Sequence, residues 1–557
     1  MKIRFKKYTL SLLGALLFTS CENFDEVNKN PNSAEDVSSN YLVSYVLTNT
    51  ARTYYNLGAE GEQIPCAMQY TQYGPSQNVP KVNHYGWTAE SWAQYYELLR
   101  NIQLIYQNSE NDNNMFFRAI SLTMRSFVFG LMTDLFGDIP YSEALKATAG
   151  TYFPAYDEQK NVYHGILLDL KEADRLLGNL SATDGINATT DVMFNGDGQK
   201  WRKFTNALRL RYLLRVVDKK SEMSALGIQM EEEFKSAAAN TFTSNADDAM
   251  VKFLGVNKEN STPGGLLNAA NPGFTIKPGK SFVDRLLELK DPRLHRWVHP
   301  VQRKWSLHTK VEKDTVVVNQ FNESFTIRLI PAVSAVGIDT ALYVGQAIGI
   351  PVVEINTYNK GTDETAYHPE RNPYISFLHD RYRKNADPLI QMNMITYAEV
   401  EFILAEAAEL GGLGVSNSET HFKNAIKASM DKYGAGEAQS FRFDDYYQQP
   451  AVDLTKATNR QERILEQKWI ASWLTIQSWF DWRRTGYPSL KTGPVTQFGA
   501  VIPVRYMYPV PNLDPDYLIN YDNAVNRFEA TQYIPSGQSK DHAYAKMWLI
   551  QGTGKPW

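Results

Sequence analysis

Catalytic chemistry leaves recognisable spacings, and the usual ones are not found in this sequence. There is no His-Glu-x-x-His pair to hold zinc and no Gly-x-Ser-x-Gly elbow to expose a nucleophile. Gly552-Thr553-Gly554-Lys555 has the flavour of a phosphate loop, but Pro556 follows at once where the opening turn of a helix would be needed. Cleaving a glycosidic bond needs two carboxylates flanking it. With 61 acidic residues, near pairs such as Asp134 and Asp138 arise by chance, and nothing singles one out. The expectation is a protein without catalytic residues, without a metal site and without a cofactor.

Binding chemistry is better represented. Aromatic residues make up 12% of the chain. An exposed ring can cover the CH face of a sugar, while Asn, Gln and Arg meet its hydroxyls. Asn83-His84-Tyr85-Gly86-Trp87 lies just ahead of Thr88, which reads as a helix N-cap, so Trp87, Tyr85 and Asn83 would sit at a rigid helix entrance. Trp87 could serve as a platform for ligand, or pack back on the helix as a hydrophobic staple. Tyr73, beside Gly74-Pro75, is a second loop aromatic, and Trp305, Tyr343 and Tyr367 fall in an irregular region further on. These seven residues are the candidate ligand contacts. Trp92, Tyr95 and Tyr96 have helical spacing and are expected in the core.

The thiols divide by position. Lys2, Arg4, Lys6 and Lys7 precede an apolar run to about Phe18 that ends in Leu17-Phe18-Thr19-Ser20-Cys21. The run is shorter than the ~20 residues of a spanning helix and has the flanks of an export signal. Small residues before Cys21 resemble a bacterial lipobox, which makes Cys21 the expected lipidation site, the alternative being ordinary signal cleavage nearby. No later segment reads as long and apolar enough to cross a membrane. Cys66 then has no partner for a disulfide or a thiolate zinc site and is expected to be a small buried hydrophobe. A net charge of −4 argues against a nucleic-acid partner.

The elements that must carry these residues are mostly helical. Apolar stripes at helical period run through 41–55, from Phe117 to Leu135 with a stop at Gly137 and Pro140, and from Tyr163 to Leu177. Asp197 should cap a helix with Trp201, Phe204, Leu208 and Tyr212 inward and Arg202, Arg209 and Arg215 elsewhere. Further helices are expected at 397–411, near 419–433, and around Leu465, Trp469 and Trp473. Each must bury one stripe, so stacked helix pairs follow. From about 219 to 393 Pro, Gly and Asn become frequent, with short strands at 315–319 and 324–330, and an excursion this long usually carries function.

Several motifs in order resemble the SusD/RagB family. The chain shows Cys21-Glu22-Asn23-Phe24-Asp25-Glu26 with Asn30-Pro31-Asn32, then Gly137-Asp138-Ile139-Pro140 and Pro154-Ala155-Tyr156-Asp157. Asn195-Gly196-Asp197 with Trp201 and Leu208-Arg209-Leu210-Arg211 follows, then Asp291-Pro292-Arg293, Tyr397-Ala398-Glu399, Phe480-Asp481-Trp482-Arg483-Arg484 and Ile502-Pro503 with Arg505. The resemblance implies a tetratricopeptide-like helix-pair scaffold with a loop-rich, partly β excursion carrying the ligand face. It implies a lipoprotein at the cell surface on the outer membrane, capturing oligosaccharide for a SusC-like TonB-dependent transporter. The alternatives are a RagB-like peptide binder of the same architecture and a surface glycosidase. The expected organisation is a signal peptide over 1–20, an anchored extended segment over 21–40, and one SusD-like domain over 41–557. The motif residues themselves are expected to be structural, the arginines binding carboxylates or helix ends.

Overall fold

The computed structural model describes residues 38–557 except 60–62, 182–183, 269–274, 369–370, 498–500, 510, 512–513 and 556. The expected signal peptide over 1–20 and the expected lipidation site Cys21 lie outside the described residues.

Helices dominate. In chain order the main ones are α1 (Ser39–Ala59), α2 (Ala93–Asn111), α3 (Met115–Phe136), α4 (Gln159–Leu177), α5 (Gly198–Arg215) and α6 (Met230–Ala238). Then come α7 (Lys280–Glu288), α8 (Tyr397–Leu410), α9 (Ser418–Lys432), α10 (Arg460–Ala471), α11 (Gln477–Thr485) and α12 (Pro515–Asn526). Only Asp112, Asn113 and Asn114 separate α2 from α3, which forces the pair antiparallel. Asn114 starts α3 by accepting a hydrogen bond from Phe117 N, and Gly137, at φ 93°, ends it. Asp197 caps α5 through Gln199 N and Lys200 N. Along the chain α2 packs on α3, α3 on α4, α4 on α5, α5 on α6, and α8 on α9.

Three expectations are corrected here. Thr88 caps nothing: Ala89 bridges Met507 and Glu90 N donates to Met507 O, so the chain stays extended until Trp92, which stands at the N-cap of α2. Helix α5 is not one-sided, since Arg209 and Arg215 are as buried as Leu208. And α3 is long and apolar enough to span a membrane, yet 83% of its most apolar window is buried, so it is the central core helix.

The strands are short: β1 (Thr71–Tyr73), β2 (Ala249–Lys252), β3 (Ile276–Pro278), β4 (Arg303–Ser306), β5 (Lys313–Val318), β6 (Ser324–Pro331) and β7 (Gln391–Ile395). The two strands expected at 315–319 and 324–330 are present as β5 and β6, which pair antiparallel, and β4 adds parallel to β6. β2 pairs with β7, so the excursion leaves and returns at one place. It therefore begins later than 219: the stretch from 219 first continues the scaffold, with α6 packed on α5. One apolar core runs from Leu42 to Ile550, and a small satellite gathers Trp305, Ile330 and Tyr374.

The family-like motifs are structural. Buried arginines meet buried carboxylates: Arg211 with Glu399 (2.8 Å), Arg293 with Asp291 (2.6 Å), Arg484 with Glu406 (2.7 Å) and Arg505 with Asp541 (2.7 Å). Asp134 accepts from Arg483 (2.9 Å) and the Tyr163 hydroxyl (2.7 Å), with Arg215 at 3.3 Å. Leaving any of these charges alone at such depth would cost several kcal/mol. Cys66 is fully buried.

Candidate ligand-binding site

The solvent side of α1 is the base of the site. Its core stripe, from Leu42 through Val46 and Ala51 to Tyr54, leaves Arg52, Tyr55, Asn56 and Ala59 on another face at helical spacing. Gly58 sets the depth of this helix: a Cβ there would meet Leu474 O at 2.4 Å. Facing Arg52 and its row is a cavity of about 420 Å³, within the ~300–1,000 Å³ typical of small-ligand sites.

Three other segments close it. Tyr73 stands on β1, paired with Ile276 of β3, and Thr275 and Ile276 line the wall beside it. Thr262, Pro263, Gly264 and Asn268 form a loop wall, and Leu378, Tyr382 and Arg383 the last. The loop wall is clasped to the segment after Tyr382, Thr262 N donating to Asn385 O (2.9 Å) and Leu267 N to Asn385 Oδ1 (2.9 Å), and is braced internally by Asn268 Nδ2 donating to Thr262 O (2.7 Å). Gly264 approaches so closely that a Cβ would lie 2.5 Å from Tyr382 O.

Chemically the walls combine three tyrosines, two amides and two guanidiniums, with no carboxylate among the described lining residues. The Tyr382 hydroxyl accepts from Trp473 Nε1 (2.7 Å), and burial pushes its pKa well above the usual phenol range. Arg383 pairs with Asp380. Burial and the nearby charge of Arg371 lower its pKa, a sign of crowded positive potential. Among the described residues Arg52 donates only to Lys258 O, at 3.4 Å, and Asn56 Oδ1 is buried with no hydrogen-bond partner. Behind Tyr55 and Tyr382 lies a second space of about 30 Å³, where Gln391 Oε1 and Asn393 Oδ1 also lack partners.

Of the seven residues picked from sequence, Tyr73 alone lines the cavity. Asn83 is buried beneath it and positions it, accepting from Tyr73 N (2.9 Å) and donating to Tyr73 O (3.0 Å). Trp87 is 5% exposed and packs against Trp479 and Tyr506. It is neither platform nor staple but core, because its loop is covered by α11 and the chain near Tyr506. Tyr85 is fully buried as well. Trp305 is spent in the satellite core: its ring stacks on Tyr374 and its Nε1 donates to Asn359 O (2.8 Å). Tyr343 is buried with its hydroxyl 2.8 Å from His295 Nδ1. Tyr367 is partly exposed, but its hydroxyl donates to Asn356 O and it stands apart from the cavity. The buried rings of Tyr85, Trp87, Trp305 and Tyr343 have no open face for a ligand. Trp92 is partly exposed and packs in an aromatic cluster with Phe136, Tyr156 and Tyr508.

Residues missed from sequence are Arg52, Tyr55, Asn56, Tyr382 and Arg383. The first three carried a signal, a polar and aromatic row at i, i+3 and i+4 beside the apolar stripe of α1.

Comparison with known proteins gives a consistent result. Residues 31–313 and 340–509 match the SusD-like family described as starch-binding and associating with the outer membrane. A SusD homologue from Bacteroides fragilis is 26% identical, with a TM-score of 0.65 over 91% of this chain and 99% of its own. A chitin-binding protein is 22% identical, with a TM-score of 0.69 over 92% of this chain and 100% of its own. A SusD/RagB family protein from Bacteroides thetaiotaomicron is 20% identical, with a TM-score of 0.64 over 93% and 99%. The last two likenesses concern the fold. None of the curated proteins matches this sequence.

Proposed function

We propose that this chain, which belongs to the SusD-like family, captures an oligosaccharide at the outer membrane in the cavity beside α1. The observation that carries this reading is the make-up of the walls: Tyr55, Tyr73 and Tyr382 surround a space of about 420 Å³ edged by amides. A pyranose offers apolar CH faces and a rim of hydroxyls, and those walls offer both partners. SusD-like proteins are binding proteins, and tyrosines with amides suit retention of a glycan without bond cleavage.

In the full reading the protein is a lipoprotein, anchored through Cys21 at the cell surface, and passes its ligand to a SusC-like TonB-dependent transporter. These steps are supported by the export-type leader and by the family resemblance. Titration calorimetry of the full-length protein against neutral and acidic oligosaccharides and short peptides tests the capture step. Glycan binding that weakens about threefold to tenfold in Tyr55→Ala and Tyr73→Ala supports it. Binding of peptides alone would move the protein to the peptide-capturing alternative, and release of shorter products would make it a glycosidase.

A further inference from the structure

The charge of the cavity is as informative as its size. Arg52 and Arg383 both face it, and no Asp or Glu is among its described lining residues. The buried arginines Arg211, Arg293, Arg484 and Arg505 each lie within 2.8 Å of a carboxylate, and Arg383 pairs with Asp380. Arg52 forms no ion pair among the described residues, and its one hydrogen bond is the 3.4 Å contact to Lys258 O. Neutral sugars are held through hydroxyls, which both donate and accept, so a neutral-sugar site is well served by acceptors as well as donors. A guanidinium only donates. Its strongest partners are anionic oxygens, which it takes bidentately.

We propose that the cavity selects an acidic oligosaccharide, taking an anionic group on a pyranose ring between Arg52 and Arg383 while the ring lies among Tyr55, Tyr73 and Tyr382. This rests on the cavity being the glycan site. The anionic group can be the carboxylate of a uronic acid or a sulfate ester, since both present acceptor-only oxygens to a guanidinium. Asn56 and Asn268, on adjoining walls, are placed to meet ring hydroxyls. Positive charge adds support beside the geometry: burial first, and then the charge of Arg371, lower the pKa of Arg383, and burial with a smaller push from Arg383 lowers His299. An incoming anion relieves that repulsion.

Calorimetry on the full-length protein tests this with hexamers of galacturonate, mannuronate and glucuronate-containing glycan, a sulfated carrageenan oligosaccharide, maltohexaose and chitohexaose. Methyl-esterified oligogalacturonate keeps the shape and removes the charge. At least one acidic probe is expected to bind about tenfold or more tightly than the neutral ones, to weaken similarly on esterification or in Arg52→Gln, and to weaken with added salt. The uronate and carrageenan arms identify the anionic group. Arg52 lies on the outer face of α1, so Arg52→Gln should melt with the parent, and Arg52→Lys should recover part of the affinity. Neutral glycans bound as tightly as acidic ones, or acidic binding untouched by Arg52→Gln, would overturn the charge selection while leaving glycan capture intact. Binding of an acidic hexapeptide with no glycan bound would overturn both.

Discussion

The rings of Trp87 and Trp479 lie 5.4 Å apart between centroids at an angle of 57°. This contact joins a loop of the amino-terminal third to α11, and Tyr506 completes a three-ring cluster, 5.4 Å from Trp87 and 6.1 Å from Trp479. Trp87→Ala therefore opens a cavity, and about 3–5 kcal/mol of stability should be lost. Thermal melts would show the loss; a melting temperature equal to the parent's would place Trp87 outside the core.

Tyr73→Ala is expected to behave in the opposite way. Its ring borders the cavity, so affinity should fall about threefold to tenfold while the melt barely moves. Asn83→Ala should combine both effects, because its amide holds both backbone polar groups of Tyr73. Calorimetry beside melts for the pair separates contact from positioning, and an Asn83→Ala affinity equal to the parent's would show that Tyr73 needs no such brace.

Asp134 sits among Arg483, Arg215 and the Tyr163 hydroxyl, with 2% of its side chain exposed. Asp134→Ala would take from Arg483 its carboxylate partner and leave Arg215 with Asp481 and Gln477, and should cost about 3–5 kcal/mol. The exposed pair Lys427–Asp431 is the control, since Lys427→Ala should change stability by less than about 1 kcal/mol. Urea midpoints for the two variants check the contrast, and near-equal midpoints would contradict the buried-network assignment.

The histidines of the excursion give a pH dependence with a definite sign. Burial lowers His295 and His379 from 6.5 to about 4, with Asp291 and then Glu323 pulling His295 partly back and Glu323 doing so for His379. The unfolded chain thus takes up protons first. Stability from these groups is complete above pH 6.5 and is lost as pH falls towards 4, up to about 3 kcal/mol per histidine. Replacing both by Asn should reduce the slope of the stability curve in that window, leaving the share of His299 and His542, which burial also lowers. An unchanged slope would mean the imidazoles are already charged in the fold.

For the tether, Cys21→Ala should abolish acyl labelling and release the protein from membranes. Retained labelling would place the lipid elsewhere. Crosslinking on intact cells should recover a TonB-dependent barrel beside the lipidated protein, and repeated recovery of none would leave capture standing without the transport partner.

The scaffold was legible because helices write their burial into the sequence. Phe117 to Leu135 and Tyr163 to Leu177 repeat at helical period, and Gly137, Asp197 and Gly411 mark ends by backbone and capping chemistry that is local. The site was not legible because its walls meet through distant pairings. Tyr73 reaches the cavity through the register of β1 with β3, and Tyr382 through a loop clasped to Thr262. Loop position also misled: Tyr85, Trp87 and Trp305 lack helical spacing yet are buried by chain that arrives hundreds of residues later or folds back within the excursion. What could have been read is the row Arg52, Tyr55 and Asn56, set beside an apolar stripe on the same helix.

The bond between Asp134 and Arg483 spans 349 positions of sequence. A ribosome adding about 5–20 residues per second delivers the arginine roughly 20–70 s after the aspartate. For that interval the end of α3 lacks one of its two cationic partners, and the chain that covers Trp87 has not been made. A growing chain of this protein is therefore poorly able to close its core early. That delay would suit the proposed export, in which the polypeptide is threaded through a membrane channel before it folds.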